Sequence, residues 1–479
     1  MVERNADFAV QAMAGTLAAG DGDRLWRGCV LDSRRIDGDE IFFALPGEQV
    51  DGHRFASMAA EKGAGAVVVH DASVIPEASD NAAWILVNDT YKALHDLTRA
   101  VRREVPKKLV ALTGSVGKTT TKEILGHVLE QHFGAGRVAR SLGNFNNLYG
   151  FPIALLGIDN TSEWMVAEMG MSTPGELGGV SRLGKPDAVL LLCVRAVHLE
   201  NFGTLRGIAN AKAEILEGLA DNGLIVANAN DPEVMAMVER HRATGWDGRL
   251  VTFGIENAEA DVWSTPAEPA GLGSRFTVTY EGEESSGETV NAELPLYGLY
   301  NAENALAATA TAVALGMPLA AAANALAGLR PPPGRGNVHE LGGNVTLVDD
   351  SYNSNPDAAV KALESARLLT GKRHIAVLGS MLELGPEAPE MHREVGRRAA
   401  ELGFSRIAAV GEIAASVADG ARVAGVDAVH LANAADAGAW LRDQTQDDDV
   451  VLIKGSRGVG LEAAVRALHL ARGPKEVGD

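Results

Sequence analysis

Short, uninterrupted apolar runs alternate along this chain with stretches in which apolar residues recur at helical spacing. Leu109-Val110-Ala111-Leu112-Thr113 has the composition of a buried strand and stops at Gly114. Ile124, Leu125, Val128 and Leu129 then return at helical spacing, which predicts a helix after Thr121. Trp164 to Ala167, Ala188 to Leu192 and Gly223 to Ala227 predict further strands, with helix-forming stretches between them. Strands that are apolar throughout and alternate with helices imply a parallel sheet covered on both faces. From about Ala258 to Pro295 the chain is richer in Thr, Glu and Gly and alternates, which predicts an antiparallel insert.

The same alternation recurs on either side. Towards the N-terminus, Glu40 to Leu45 and Ala66 to Val69 predict short buried strands, with a helix from Phe55 to Lys62 between them. The strongest linker signal is Leu329-Arg330-Pro331-Pro332-Pro333-Gly334. Beyond it, Val345 to Val348, His374 to Leu378, Ile407 to Val410 and Val450 to Ile453 predict strands among Ala-rich helices. The fold class expected is therefore α/β in three domains: a small α/β unit over 1–107, a central parallel-sheet domain over 108–330, and a Rossmann-like α/β domain over 331–479.

Composition narrows the functional classes. At 479 residues, 46% apolar and 22% charged, the chain is long enough for several cores. A net charge of −20 argues against a general nucleic-acid or membrane surface, yet leaves room for a local cationic pocket that takes an anionic substrate. Two distant cysteines, Cys29 and Cys193, fit a reducing cytoplasm better than a disulfide framework or a zinc site, so any metal is expected on oxygen ligands. The first residues carry charges and no apolar signal region, and no apolar run approaches the length of a membrane span. A soluble cytoplasmic protein is expected.

Gly114-Ser115-Val116-Gly117-Lys118-Thr119-Thr120 follows a predicted strand and opens a predicted helix. Glycines allow positive φ and close backbone approach, successive N–H groups and the helix N-terminus favour an anion, and Lys118 adds a point charge. The Thr119 hydroxyl has the chemistry to ligand Mg²⁺, so the loop is expected to hold the phosphates of ATP. Leu112 stands where the general motif has its first glycine. Glu168, at the end of the strand from Trp164, would face the same crevice with a hard oxygen ligand. His198 follows the strand from Ala188, and Lys212 and Glu214 lie in the helical stretch from Ile208 to Leu216. Singly these are ordinary residues; they gain weight only jointly. Asparagines cluster at Asn144, Asn146 and Asn147, at Asn228 and Asn230, at Asn301 and Asn304, and at Asn353 and Asn355. Turn chemistry explains any one cluster, but four of them at element ends point to amides that read polar ligand edges.

Taken together, TGSVGKTTTKEIL, GNFNNLYGFP, AEMGMSTPGEL, VHLENFGTLRGIANAKAEIL, LYNAENALAA, PPPGRGNVHEL, DDSYNSNPDA, LGSMLELG and KGSRGVGLE resemble the Mur ligase family, in order and over essentially the whole chain. DSRRIDGDEIFFALPGEQVDGHRF resembles its uridine-nucleotide domain. The family's loop has the short form seen here, which accounts for Leu112. The resemblance implies ATP-dependent amide-bond synthesis. A carboxylate of a UDP-N-acetylmuramoyl tripeptide would take the γ-phosphate, and the amine of D-alanyl-D-alanine would attack the resulting acyl phosphate. By motif position Lys118 would steady the β- and γ-phosphates. Thr119 and Glu168 would hold one Mg²⁺, and His198 would help hold a second. Lys212 matches a lysine that family members carry as a carbamate, itself able to ligand Mg²⁺. Asn301 and Asn304 resemble adenine-side residues, with Tyr300 standing where many relatives have His. Arg335 and Asp350 resemble contacts from the third domain to phosphate and ribose. Those contacts would require closure, with open and closed states hinged near Arg330 to Gly334. Asn146 and Asn147 would lie near the muramoyl peptide, Ser33 and Arg34 near the uridine diphosphate, and Lys454, Ser456 and Arg457 near the incoming dipeptide. A monomer with small-molecule substrates is expected. The alternatives are a sibling ligase that adds the third amino acid, a folylpolyglutamate-synthase-like ligase, and a nucleotide switch without ligase chemistry.

Overall fold

The computed structural model describes residues 4–47, 50–143, 145–159, 161–196, 199–282 and 287–474. Among them the strands form three large sheets and a separate two-stranded ribbon, Arg4–Asn5 against Leu25–Trp26. The first large sheet has the order Thr16–Ala19, Ala83–Leu86, Ala66–Val69, Ile41–Phe43, Cys29–Val30. All its pairings are parallel except that of the edge strand Thr16–Ala19. The predicted pair of strands is present, with helix Ala56–Glu61 between them in sequence.

The central sheet is built around strand Lys108–Thr113, whose Leu109 to Thr113 are fully or almost fully buried. On one side it pairs in parallel with Trp164–Glu168, which in turn pairs with Val138–Arg140. On the other side it pairs with Ala188–Leu191, followed by Leu224–Asn228, Arg249–Ile255 and Val262–Ser264, all parallel. The chain therefore leaves strand Lys108–Thr113 towards one side and later returns to the other, which opens a crevice at its carboxyl end. The expected antiparallel insert is present as Glu268–Ala270, Gly273–Tyr280 and Glu288–Leu294. It extends the same sheet instead of forming a separate unit, because Gly273–Tyr280 pairs with the edge strand Val262–Ser264.

Helix Lys118–Phe133 packs its Ile124, Leu125, Val128 and Leu129 into one core with the Ala-rich face of helix Asn301–Ala314. Small side chains let the two helices approach closely, which brings both N-termini to the mouth of the crevice. The third sheet has the order Asn337–Leu341, Val345–Asp350, Asp449–Lys454, Arg373–Gly379, Arg406–Val410, Asp427–Leu431. Only Asn337–Leu341 is antiparallel. No helix among the described residues is long and apolar enough to cross a membrane.

Candidate active site

The loop between strand Lys108–Thr113 and helix Lys118–Phe133 is held open from below. Ser115 Oγ donates to the carbonyl of Arg195 at 3.1 Å and accepts from the Arg195 N–H at 2.8 Å, while Ser115 N donates to Cys193 O. Arg195 is fixed in turn on Asp231 at 2.7 Å. The Ser115 hydroxyl thus braces the loop against its neighbouring strand end. Gly117 sits at φ +82°, and a Cβ there would fall 2.3 Å from Asn304 Oδ1. Gly117→Ala therefore meets both a left-handed backbone penalty of about 1–2 kcal/mol and a direct clash. The expected result is a lowered melting temperature together with a weakened ATP titration, whereas alanine at exposed Gly136, also left-handed at φ +77° but with open space around its Cβ, shares the backbone cost and leaves the ATP titration unchanged.

Lys118 Nζ donates to Gly114 O at 2.9 Å, which folds the ammonium back over the loop. Thr119 Oγ1 donates to Glu168 Oε2 at 2.7 Å, and Asn146 Nδ2 donates to Glu168 Oε1 at 2.8 Å. Glu168 is buried at the carboxyl end of its strand, where its N–H donates to Ser141 Oγ. A hydroxyl and a carboxylate at the loop mouth are the oxygen donors a hard divalent cation takes. Among the described residues no three His, Cys, Asp or Glu side chains cluster around a metal position. A cation there would complete its shell from phosphate oxygens and water, as Mg²⁺ commonly does.

Lys212 lies at the end of helix Leu205–Ala213 and is buried. Burial first, and then the Lys118 ammonium, push its amine down to about 7, against a smaller opposing pull from Cys193 and Glu168. A buried amine with that pKa is in good part neutral near neutral pH, and the neutral amine is the form that captures carbon dioxide. His198 and Asn144 lie outside the described residues.

The Asn301 amide is committed within the fold: Nδ2 donates to Tyr297 O at 2.7 Å and Oδ1 accepts from Asn304 Nδ2 at 2.8 Å. Asn304 Oδ1 accepts from Thr121 at 3.2 Å. The pair ties helix Asn301–Ala314 to the loop helix while lining the cleft. Asn228, buried nearby, donates to Glu303 at 2.8 Å. Burial and the charge of Asp350 raise the Tyr300 hydroxyl well above its usual range, so it stays protonated.

Across the cleft, Arg335 Nη2 donates to Thr119 Oγ1 at 3.2 Å, so this arginine reaches the nucleotide loop in this structure. Its Nε is buried without a hydrogen-bond partner, a donor left over where an anion would be welcome. Asp350 is buried and accepts from Lys454 Nζ at 2.6 Å, and the same ammonium donates to Asn353 O at 3.0 Å. Lys454 is thereby a strut between two strand ends. Ser456 Oγ accepts from Leu382 N at 3.1 Å and donates to Ser354 O at 3.4 Å. Arg457 lies on the same rim.

These groups line one cleft of about 410 Å³, with Val116, Thr120 and Asn147 also in its wall. Gly114 and Lys212 do not line it, although Gly114 O accepts from Lys118 Nζ and Lys118 lowers the Lys212 amine. Ser33 and Arg34 belong to the first sheet's domain and do not line it: Ser33 is buried against Met58, and Arg34 is exposed and paired with Asp32. A second cavity of about 510 Å³, bordered by Glu340, Thr346, Lys372 and Asp448, lies at the amino ends of the third sheet's strands, the end at which a parallel sheet does not build its ligand site. Sequence reasoning passed over Lys122, which is fully buried and donates to Ser141 O at 2.5 Å and Gly143 O at 3.3 Å, fixing the turn that carries Asn146. A lysine set among the buried positions of the loop helix was the available signal.

Comparison with known proteins finds relatives along most of the chain. Residues 27–102 match the model of the Mur ligase family catalytic domain, 112–312 the Mur ligase middle domain, and 334–457 the Mur ligase glutamate ligase domain. The chain is 34% identical over 440 residues to a UDP-N-acetylmuramoyl-tripeptide–D-alanyl-D-alanine ligase of Escherichia coli (strain K12), covering 91% of this chain and 92% of that one. Among solved structures it is similar to MurF from Acinetobacter baumannii, with TM-score 0.84, 28% identity and coverage of 97% and 98%. It is also similar to a MurF ligase from Thermotoga maritima in complex with ADP, with TM-score 0.77, 27% identity and coverage of 93% and 97%.

Proposed function

The chain belongs to the Mur ligase family, and from that premise we propose that it joins D-alanyl-D-alanine to a UDP-N-acetylmuramoyl tripeptide with cleavage of ATP, in the synthesis of peptidoglycan precursors. The observation that carries this reading is the contact from Arg335 to Thr119, which closes the nucleotide loop, Glu168 and the third domain's loops around one cleft. A nucleotide switch would hydrolyse or exchange its nucleotide without an amine acceptor.

The reaction must bring a carboxylate onto a polyphosphate, two anions that repel. The loop N–H groups and Lys118 hold the β- and γ-phosphates, and Arg335 approaches from the other wall with an unpaired N–H. Thr119 and Glu168 would hold Mg²⁺, which when bound supplies positive charge between the carboxylate and the phosphates. Lys212, as a carbamate, would add an oxygen donor behind that pair, and His198 would serve a second ion. A carboxylate oxygen of the tripeptide then attacks the γ-phosphorus, the bond to the β–γ bridging oxygen breaks, and ADP leaves. The amine of the dipeptide attacks the acyl carbon through a tetrahedral intermediate, loses a proton, and phosphate departs with the oxygen that had been the carboxylate's. Asn146, bonded to Glu168, and Asn147 stand on the muramoyl-peptide side. Lys454 and Ser456 shape the dipeptide side, with Arg457 facing the incoming carboxylate. Ser33 and Arg34 take the uridine diphosphate. ATP and the nucleotide-linked substrate place the reaction in the cytoplasm.

The acyl-phosphate route has a direct isotopic test. With ¹⁸O in the tripeptide's terminal carboxylate, one labelled oxygen is expected in each phosphate released. Unlabelled phosphate would rule out carboxylate activation.

A further inference from the structure

Tyr352 lies in the turn between strand Val345–Asp350 and helix Pro356–Arg367, on the wall of the cleft. Two guanidiniums lie over its ring: Arg335 at 4.2 Å from the centroid and Arg457 at 5.0 Å. Arg335 comes from the linker side and reaches the nucleotide loop through Thr119, while Arg457 comes from the loop after strand Asp449–Lys454 and is paired with Glu462 at 2.7 Å. The backbone of Tyr352 is fixed as well, its N–H donating to Gly334 O at 3.1 Å. Gly334 has φ +69°, and a Cβ there would stand 3.2 Å from Tyr352 Cβ, so the linker passes tightly against this residue.

Two like charges brought to one ring would repel in the open cleft. An aromatic face attracts each of them and replaces part of the water they lose. Arg335 has further need of such a support, because among the described residues its Nε has no partner and a single side-chain hydrogen bond, to Thr119, aims it across the cleft. We propose that Tyr352 is a positioning residue for ATP: its ring, shared with Arg457, holds the Arg335 guanidinium towards the nucleotide loop, so that the nucleotide wall and the amine-side wall are set by one side chain. The role belongs to the ring and not to the hydroxyl, and it rests on the ligase reading given above.

The test uses the full-length enzyme with Tyr352→Leu, Tyr352→Phe, Arg335→Ala and the Arg335→Ala, Tyr352→Leu double variant. Thermal melting is measured together with KM for each of the three substrates. Tyr352→Leu is expected to raise KM for ATP by roughly 3- to 30-fold, the range of a cation–π contact, with KM for the UDP-tripeptide unchanged. Tyr352→Phe is expected to stay within about twofold of the parent in KM for ATP. The double variant is expected to match Arg335→Ala alone, because the ring acts through that arginine. Equal losses for every substrate with a lowered melting temperature, a Phe variant as impaired as the Leu variant, or fully additive effects would each overturn the proposal. If the parent itself forms no amide with ATP and the dipeptide, the ligase reading fails; if the parent is active and Tyr352→Leu keeps its KM for ATP, the positioning role alone fails.

Discussion

Lys118→Ala is expected to lower kcat/KM for ATP by roughly a hundred- to a thousandfold, the scale of removing one preorganised charge from a developing anion. The physical case lies in where the ammonium sits. It is tethered to the first glycine of its own loop at 2.9 Å, above the helix N-terminus and opposite Arg335. A positive charge so held serves the phosphates as they gain negative character and costs little reorganisation when they do. Because Lys118 also pushes the Lys212 amine down, its removal should let that amine rise towards its ordinary value. Steady-state kinetics with ATP varied checks the first effect. A loss of less than tenfold with melting unchanged would show that Lys118 does not carry the phosphate contact.

The second large effect is expected at Lys212. It is buried, with Lys118 and Glu168 near enough to act on its charge, and among the described residues no three His, Cys, Asp or Glu side chains cluster around a metal position. Glu168 gives a cation there one carboxylate, and a carbamate on Lys212 would add a second anionic oxygen to a shell otherwise completed by phosphate and water. Lys212→Ala should therefore reduce kcat by roughly 10- to 100-fold, the scale of losing a ligand-shell partner, and short-chain carboxylic acids should restore part of it by occupying the space vacated. Activity close to the parent's, or a loss that no carboxylic acid relieves, would contradict a carbamate there.

The parts of this site legible in the sequence were those in which a single stretch of chain carries its own chemistry. Strand, glycine-rich loop and helix are contiguous, so Gly114 to Thr120 announced a phosphate site, and Glu168 followed from its place at the end of a neighbouring strand. Lys212 gained its meaning only from the family resemblance, since a lysine on a short helix is otherwise a solvated charge. What stayed hidden depends on contacts across long separations. The Asn146–Glu168 bond, the Asn301–Asn304 pair that ties two helices, and the strut from Lys454 to Asp350 each join elements whose proximity only folding establishes. The two edge strands of the third sheet, Asn337–Leu341 and Asp427–Leu431, were missed for a simpler reason. Each is half solvated, so it carries polar and charged residues and lacks the apolar run that marks a strand buried on both faces. Tyr352 sat in full view within DDSYNSNPDA, but its value lies in two arginines far apart in sequence, one before strand Asn337–Leu341 and one after strand Asp449–Lys454.

The most direct test of the central claim is phosphate release from ATP and the UDP-N-acetylmuramoyl tripeptide, measured with D-alanyl-D-alanine, with single amino acids, and with no amine. Release that depends on D-alanyl-D-alanine and matches pentapeptide formed mole for mole is the predicted result. Release stimulated only by a single amino acid on a shorter UDP-peptide, or indifferent to every amine, would contradict it.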